Sequence, residues 1–309
     1  MSKPEVDLSI IIVNWNTKKL LMDCLFSIYK TVCDVSFEVR LVDNASTDDS
    51  VKAVRQNYPD VNIVVNQQNM GFAAANNMAL KVMKGRYALL LNTDTVLTDC
   101  AVKNIYTFME NRPGVGMACG QLINEDGSKQ NSIANFPSLL SIICNETLLR
   151  LVFPENFPSK HQNYIEPIMV DSCIGACLMV RKEAIDQVGP LDERYFFFME
   201  ETDWALMMKN HGWMSWFVPD SRVFHLQGQS AGDNIGARKM FFRSRYLYLK
   251  KWHLSFFPIF KTAIVIRLVL NFLLNLLAVT ITIGCVGKVR RKYRTYSGLL
   301  WWHIKGCPG

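Results

Sequence analysis

The chain has 309 residues, of which half are hydrophobic and a fifth are charged. This balance is ordinary for a globular protein and excludes extensive disorder, and the length suffices for one large domain or two smaller ones. The net charge of +7 is unevenly divided, since residues 238–309 contain 14 Lys and Arg but no Asp or Glu, whereas residues 1–237 contain 20 Lys and Arg against 27 acidic residues. We therefore expect an acidic body over 1–237 and a basic tail over 238–309.

The first third of the chain alternates between predicted strands and predicted helices. "LSIIIVNW" is a continuous apolar run that begins at Leu8, typical of a strand covered on both faces. It is followed in order by a helix over 18–29, the strand "FEVRLVD", a helix in "NASTDDSVKAVRQNY", the strand "VNIVV", a helix over 72–83 and the strand "YALLLN". This alternation predicts an α/β fold in which helices flank a mostly parallel sheet.

Polar residues cluster where three of these strands end. They are Asn14 and Asn16 after the first strand, Asp43 and Asn44 after the second, and Asn92 and Asp94 after the fourth. In parallel α/β sheets, ligands bind beyond the carboxyl ends of the strands, so these ends predict a binding site. No GxGxxG motif follows the first strand, which argues against a dinucleotide-binding fold.

The basic tail contains an apolar stretch over 268–287 without a charged residue. Its length is close to the roughly 20 residues of a membrane-spanning helix. Basic residues lie on both sides, namely Lys261, Arg267, Lys288, Arg290, Arg291, Lys292 and Arg294. Membrane lipids are the predicted partner, and nucleic acid is not, because a nucleic-acid-binding arm should be less apolar. Asn271 and Asn275 keep a buried core helix open as the alternative.

The position of these basic residues also predicts how the tail meets the membrane. A single span would place one basic cluster outside the cell, against the positive-inside tendency. We therefore expect a helix that lies in the membrane interface, or a re-entrant pair broken near Pro258 or near 284–287. Because no N-terminal signal peptide is visible, the expected location is the cytoplasmic face of the cell membrane.

Six segments, read in order, carry a resemblance to a known family. They are "IIIVNWN", "LVDNASTDDS", "NQQNMGFAAANN", "LLLNTDT", "FFFMEETDWALMMKNHGW" and "HLQGQS". Over roughly residues 7–250 the chain resembles the inverting family-2 glycosyltransferases of GT-A fold, and more narrowly the rhamnosyltransferase-type members that build bacterial surface polysaccharides. The resemblance implies a GT-A catalytic domain over 1–237 followed by a helical membrane-association region over 238–309.

The resemblance also implies which residues bind the nucleotide-sugar donor. Asp43 would accept a hydrogen bond from the pyrimidine base, with a helix N-cap as the alternative role. The segment "NMGFAAANN" would line the donor site, although as a bare pattern it is also a well-packed helix start. The implied donor-binding set is Asn14, Asn16, Asp43, Asn69, Gly71, Asn76, Asn92 and Asp94.

A divalent metal is the second implication. The family's Asp-x-Asp motif is represented by Asn92-Thr93-Asp94, in which Asp94 would bind Mg²⁺ or Mn²⁺ and Asn92 departs from the stricter pattern. Hard cations prefer such oxygen ligands. The alternative is that Asp94 caps the helix expected near Cys100. His225 matches a family His that binds metal or diphosphate, whereas a lone His is on general grounds more often structural.

The general base is predicted within "FFFMEETD". Acidic residues that directly follow an aromatic run meet an apolar wall, which raises a carboxyl pKa and suits a general base. By resemblance, the family's Glu-Asp pair falls on Glu200 and Glu201, and the second member is the base. Glu201 is therefore the first candidate and Asp203 the second.

These expectations combine into one predicted activity. The chain would transfer L-rhamnose from dTDP-rhamnose, with inversion, to a polyprenyl-diphosphate-linked saccharide. The alternatives are a family-2 transferase that uses another UDP- or dTDP-sugar, and a non-catalytic nucleotide-sugar-binding subunit, suggested by the departures at Asn92 and Glu201. A sugar nucleotidyltransferase is disfavoured, because "VNWNTKK" lacks the glycines of its phosphate-binding loop.

Overall fold

The computed structural model describes residues 6–144, 146–159, 162–226 and 235–307. Contacts divide the chain into two compact units, one formed by 1–136 and 158–230, the other by 137–157 and 231–309. This division differs from the predicted boundary after residue 237, because the segment 137–157 belongs to the same unit as the tail. The cause is local: helix 139–143 packs on the helix that begins at Phe257.

The described residues form eleven strands, eleven α-helices and one short 3-10 helix over Leu254–Phe256. The strands are β1 (Val6–Asn14), β2 (Phe37–Asp43), β3 (Asn62–Val65), β4 (Gly85–Asn92), β5 (Thr95–Leu97), β6 (Val115–Ile123), β7 (Ile133–Ala134), β8 (Ile168–Val170), β9 (Ser172–Cys173), β10 (Cys177–Arg181) and β11 (Met214–His225). The helices are α1 (Lys18–Thr31), α2 (Ser50–Asn57), α3 (Phe72–Leu80), α4 (Ala101–Glu110), α5 (Leu139–Ile143), α6 (Glu146–Val152), α7 (Lys182–Val188), α8 (Glu200–Asn210), α9 (Ile235–Trp252), α10 (Phe257–Ile281) and α11 (Gly287–Ile304).

The first unit is built on a central sheet in the order β3-β2-β1-β4-β10-β6-β11-β5, with β8 beside β11. Strands β3, β2, β1 and β4 are mutually parallel, as the sequence predicted, and β10 joins them antiparallel to the parallel pair β6 and β11. One apolar cluster takes Ile10 and Ile12 from β1, and a second takes Ile11, so helices cover both faces of the strand. The predicted α/β architecture with a helix-flanked sheet is confirmed.

Strand register brings the predicted polar strand ends together. Asn14 lies opposite Asp43 across β1 and β2, and Val13 lies opposite Asn92 across β1 and β4. The three chain segments that follow these strands therefore emerge side by side at one edge of the sheet.

The second unit is helical. The segment Leu254–Ile281, which includes α10, is by length and composition the one candidate for a membrane crossing in the described residues, with a mean hydropathy of 2.3. Helix α11 returns along α10, and Phe272 stacks on Tyr293 with ring centroids 5.6 Å apart. Pro258 lies in the first turn of α10 and begins the helix rather than breaking it, so the break falls at 282–286, where Gly284 has φ +68°.

Candidate active site

Asp43 is fully buried at the end of β2 and is held by two neighbours. Asn14 Nδ2 donates to its Oδ1 at 2.7 Å, and the Ser46 N–H donates to its Oδ2 at 2.8 Å. Helix α2 begins instead beside Asp48, whose carboxylate accepts the N–H groups of Ser50 and Lys18. The N-cap of α2 is Asp49, which makes no side-chain capping bond, and the Asp43 carboxylate bonds to Asn14 and Ser46, so Asp43 does not cap this helix.

The two asparagines after β1 differ in role. Asn14 is fully buried, its amide nitrogen also lies within hydrogen-bonding distance of Ser46 and Ser50, and its Oδ1 accepts from Thr17 at 2.7 Å. These bonds occupy the Asn14 side chain within the protein, so its geometry favours positioning Asp43 over contacting a donor. Asn16 is exposed in a left-handed conformation, and its Oδ1 accepts the Thr47 N–H at 2.7 Å.

The loop before α3 needs glycine at position 71. Gly71 has φ +83°, and a Cβ there would lie 2.6 Å from the Phe196 carbonyl oxygen. That same oxygen accepts the Phe72 N–H at 2.8 Å. Asn69 Oδ1 accepts the Gly71 N–H at 2.9 Å, and Asn44 Nδ2 donates to the Gly71 carbonyl at 3.2 Å. The predicted donor loop is thereby fixed against the aromatic segment that precedes α8.

Helix α3 makes a second connection to that aromatic segment. Asn77 Nδ2 donates to the Leu191 carbonyl at 2.8 Å, and its Oδ1 accepts the Leu191 N–H at 3.1 Å. Asn76 is buried, and its Nδ2 donates within the helix to the Phe72 carbonyl. The implied donor-binding set includes Asn76 but not Asn44 or Asn77, and in the structure Asn44 and Asn77 hold the surrounding loops.

Asp94 and His225, 131 positions apart in the sequence, meet through backbone pairing. Thr95 lies opposite His225 in the antiparallel pair β5–β11, and the Leu226 N–H donates to the Asp94 carbonyl at 2.8 Å. Asp94 Oδ1 and His225 Nε2 are consequently 3.4 Å apart, with both side chains buried. Asp94 does not cap α4, whose first N–H donates to the Thr98 carbonyl.

The tautomer of His225 follows from its other ring nitrogen. Nδ1 lies 2.8 Å from Gln130 Oε1, while Gln130 Nε2 donates to Asn124 Oδ1 and to the His225 carbonyl. Because the Gln130 oxygen is only an acceptor, Nδ1 carries the proton, and in the neutral imidazole Nε2 presents a lone pair toward Asp94. Sequence reasoning missed Gln130, since no motif marks it.

This pair fits a divalent cation. Two ligands of one Mg²⁺ or Mn²⁺ stand about 3 Å apart when each is about 2.1 Å from the ion, close to the 3.4 Å separation of Asp94 Oδ1 and His225 Nε2. No cluster of three or more His, Cys, Asp or Glu occurs in the described parts of the chain, so the remaining ligands would be diphosphate oxygens and water. The Asn92 side chain is half-buried beside this pair and makes no hydrogen bond to another described residue.

The candidate base stands at the first turn of α8. Phe198 and Met199, which precede the helix, have φ of 70° and 71°, a conformation that costs free energy in residues with a Cβ and that clusters at functional sites. A Cβ on Gly175 would lie 3.9 Å from the Glu201 side chain, so Glu201 packs against the turn between β9 and β10.

Burial raises the pKa of Glu201 to about 7, although the N–H of Gly175 bonds to its carboxylate and lowers the pKa. Within the described residues, the buried Oε2 atoms of Glu201 and Glu200 have no hydrogen-bond partner. Glu200 is 4% exposed, and burial together with the Glu201 charge raises its pKa well above the usual range. Asp203 is fully buried, and its Oδ1 accepts from the Tyr195 hydroxyl. Glu201 is therefore suited to ionise near neutral pH and to receive a proton.

Direct bonds join these parts into one site. The hydroxyl oxygens of Thr17, after β1, and Thr93 lie 2.9 Å apart, and the Asn92 N–H donates to the Ala176 carbonyl at 2.9 Å. Ala176 follows the Gly175 turn that contacts Glu201. The loop after β1, the Asn92–Asp94 segment and the candidate base thus lie around a single region at the end of the sheet.

The raised pKa of Glu201 predicts a pH-dependent effect on stability. A carboxyl group with a raised folded-state pKa stabilises the fold at low pH, and this contribution is lost as pH rises from about 4.5 to about 7. Glu201→Gln removes the buried charge, so it should raise the melting temperature more at about pH 8 than at about pH 5. Melting of the purified protein at both pH values measures this. An equal effect at the two values would mean that Glu201 is not held in an apolar environment.

A helix-flanked, mostly parallel sheet with buried carboxylates at its carboxyl edge is the architecture expected of a GT-A glycosyltransferase. A sequence profile described as "Glycosyl transferase family 2" matches residues 9–189. The chain belongs to glycosyl transferase family 2, as the motif resemblance indicated.

Among curated proteins, the chain is 31% identical over 232 residues to the N-acetylglucosaminyl-diphospho-decaprenol L-rhamnosyltransferase of Mycobacterium tuberculosis, covering 70% of this chain and 75% of the relative. It is 25% identical over 206 residues to the low-salt glycan biosynthesis hexosyltransferase Agl10 of Haloferax volcanii, covering 64% of this chain and 60% of the relative. The mannosyltransferase PcManGT of Pyrobaculum calidifontis, solved with GDP-Man and Mn²⁺, shares the fold with a TM-score of 0.58 at 16% identity, over 98% of this chain and 88% of that chain.

Proposed function

We propose that the protein is a metal-dependent, inverting glycosyltransferase that moves L-rhamnose from dTDP-L-rhamnose to a polyprenyl-diphosphate-linked saccharide. The catalytic part of this proposal rests on one observation. The hydrogen bond of His225 Nδ1 to Gln130 leaves a lone pair on Nε2, which lies 3.4 Å from Asp94 Oδ1. The donor and the acceptor rest on the likeness to the mycobacterial L-rhamnosyltransferase.

In the proposed reaction, each group of the chain has one role. Asp94 and His225 would hold Mg²⁺ or Mn²⁺, which when bound neutralises the charge of the departing nucleotide diphosphate. Glu201 would accept the proton of the acceptor hydroxyl as that oxygen attacks the anomeric carbon from the face opposite the leaving group. A single displacement of this kind inverts the anomeric configuration and needs no covalent enzyme intermediate.

The donor side is proposed on the same grounds. Asn92, with no side-chain partner among described residues, would contact the ribose or the sugar, and Asp43 the base. The loop around Gly71, together with Asn16, Asn69 and Asn76, would complete the donor site. Asn14 contributes by holding Asp43 through its 2.7 Å bond.

We place the enzyme at the cytoplasmic face of the membrane, where nucleotide sugars and a lipid-linked acceptor are both accessible. The supporting observation is the long apolar helix α10, followed by basic residues in α11. Membrane lipids would then be a structural partner, alongside the two substrates.

A donor panel tests the proposed function. Purified protein is incubated with Mn²⁺, a synthetic lipid-diphosphate saccharide acceptor, and in turn dTDP-L-rhamnose, UDP-glucose, UDP-galactose and UDP-N-acetylglucosamine. We expect product with dTDP-L-rhamnose at a rate at least about 100-fold above the other donors, because a site built to hydrogen bond one sugar leaves polar groups unpaired with another. Preference for a UDP-sugar would refute the donor assignment. Absence of both transfer and donor hydrolysis with all donors would favour a nucleotide-sugar-binding subunit.

A further inference from the structure

Helix α10 carries an apolar stripe that faces away from its packing partners. The stripe consists of Ile259, Ile266, Leu270, Leu273, Leu274, Leu277 and Ile281, which are 50–73% exposed. At about 100° per residue, these seven side chains fall within an arc of about 100° on the helix. The packing face is a different one, because Phe260, Ile264 and Leu268 are buried. We call these seven exposed side chains the α10 stripe.

The short helix α5 extends this surface. Leu139 and Ile143 of α5 line a shallow groove of 360 Å³ together with Ile259 and Ile266 of the stripe. Leu139, Leu140 and Ile143 are themselves 36%, 46% and 59% exposed. The apolar face of α5 and the α10 stripe are therefore contiguous, and we call their sum the apolar platform.

Arg267 fixes α5 to α10. Its Nη1 donates to the carbonyl oxygens of Ser141 at 3.2 Å, Ile142 at 2.7 Å and Cys144 at 3.3 Å. These carbonyls belong to the last turn of α5, where a cation is stabilised by unpaired carbonyls and by the helix dipole. A segment more than 120 residues upstream of Arg267 is thus held as part of the platform.

Helix α6, which follows α5 in the chain, also exposes apolar side chains. Its exposed apolar side chains Leu148, Leu151 and Val152 follow the i, i+3, i+4 spacing of one helix face, and Phe153 comes directly after it. Between Pro137 and Phe157 the charged residues are Glu146, Arg150 and Glu155 alone. An apolar surface of this extent marks an interaction site.

The charges of the second unit indicate what binds the apolar platform. Residues 238–309 carry 14 basic and no acidic side chains, and five of the basic ones lie in the first two turns of α11. A second copy of the chain would bring two such basic surfaces together, whereas an anionic lipid surface offers both apolar chains and negative headgroups. Lipid is therefore the complementary occupant.

Helix α11 also restricts the orientation of α10. Because Phe272 stacks on Tyr293, α11 runs beside the apolar half of α10, and its cluster of basic residues lies level with it. Insertion of α10 perpendicular to the bilayer would carry these cations into the hydrocarbon region, which is costly. An in-plane α10 lets the stripe enter the lipid while the cations remain among the headgroups.

We infer that the apolar platform, including α5 from the middle of the sequence, docks into the interface of an anionic bilayer with α10 parallel to its plane. The inference rests on the membrane association stated under Proposed function and is independent of the transfer chemistry. It assigns to 139–143 a lipid-binding role within a stretch that separates the two parts of the catalytic unit in sequence.

Vesicle flotation of the full-length protein provides the test. We expect binding to phosphatidylglycerol-rich vesicles and weak binding to pure phosphatidylcholine vesicles. The variant Leu139→Ser with Ile143→Ser should bind anionic vesicles at least about tenfold more weakly, because two apolar side chains no longer enter the lipid. The matched control is Phe26→Ser with Val82→Ser, which removes two side chains, 61% and 50% exposed, from the other unit and should leave binding unchanged.

A second measurement keeps the inference testable if the double variant folds poorly. An environment-sensitive fluorescent amino acid at position 143 should shift its emission to the blue when anionic vesicles are added, whereas the same probe at position 82 should not. Vesicle binding without a shift at 143 would exclude α5 from the membrane surface. A shift at 143 that follows protein concentration without vesicles would assign the platform to a second copy of the chain and overturn the inference. The variant Glu201→Gln should bind vesicles like the wild type, so loss of transfer and loss of docking are separable.

Discussion

Glu201→Gln is expected to lower the rate of sugar transfer by about 100-fold or more while donor affinity stays unchanged, because a positioned general base contributes about that factor. The substitution preserves the shape of the side chain beside Gly175 but removes the proton acceptor. Single-turnover transfer measures the chemical step, and nucleotide titration measures donor binding. The pH profile of wild-type transfer should rise through about pH 7, where Glu201 loses its proton.

Two neighbouring carboxyl groups supply matched controls. Burial and the neighbouring Glu201 charge raise the pKa of Glu200 and favour its neutral form, which Gln resembles, so Glu200→Gln should change transfer little. Asp203→Asn keeps an oxygen that can accept from the Tyr195 hydroxyl and should also leave transfer largely intact. If Asp203→Asn abolishes transfer and Glu201→Gln does not, the two carboxylates have been assigned to the wrong roles.

Asp94→Asn is expected to abolish the stimulation of transfer by Mn²⁺, with a loss of at least about 100-fold at saturating donor. The variant removes the charged oxygen that lies 3.4 Å from His225 Nε2, while the backbone bond between Leu226 and Asp94 remains. Calorimetric titration with dTDP, with and without Mn²⁺, measures the metal-dependent part of donor binding. Asp99→Asn, an exposed aspartate in the next turn, is the matched control and should retain the stimulation.

A variant of Gln130 gives a second test of the metal site, because Gln130 bonds to the proposed metal ligand His225 and would not itself bind the metal. Gln130→Met removes the acceptor for His225 Nδ1 and should weaken the affinity for Mn²⁺ by about 10- to 100-fold, the usual effect of losing an outer hydrogen bond to a metal-binding His. Donor affinity identical with and without Mn²⁺ in the wild type would refute a metal role for Asp94 and for His225 together.

Local sequence patterns were sufficient to predict the parallel half of the sheet. Continuous apolar runs such as the one ending at Asn14 have one stable environment, a strand covered on both faces, and the polar residue after each run marks its carboxyl end. Because parallel strands end at a common edge, Asn14, Asp43 and Asn92 could be grouped before any coordinate was known. The motif order then identified the family.

The contacts that complete the site could not be predicted, because they depend on pairings between distant segments. The meeting of Asp94 with His225 follows from the β5–β11 register, and Gln130 reaches the imidazole from a loop without any motif. The attachment of α5 to Arg267 has the same origin, and it groups the segment 137–157 with the tail. A local sequence pattern predicts where a strand ends, but it does not predict which side chains from distant parts of the chain lie near that end.

The contact of Gly71 with Phe196 has a consequence for motion. The segment that leads into α8 is held by the Phe72 N–H and by both amide atoms of Asn77, and these groups all belong to α3. Breaking these bonds releases the donor loop and the base-bearing segment at once, so the two form one cooperative unit of local unfolding. A ligand that rigidifies the loop before α3 would therefore also lower the conformational freedom of the segment that presents Glu201.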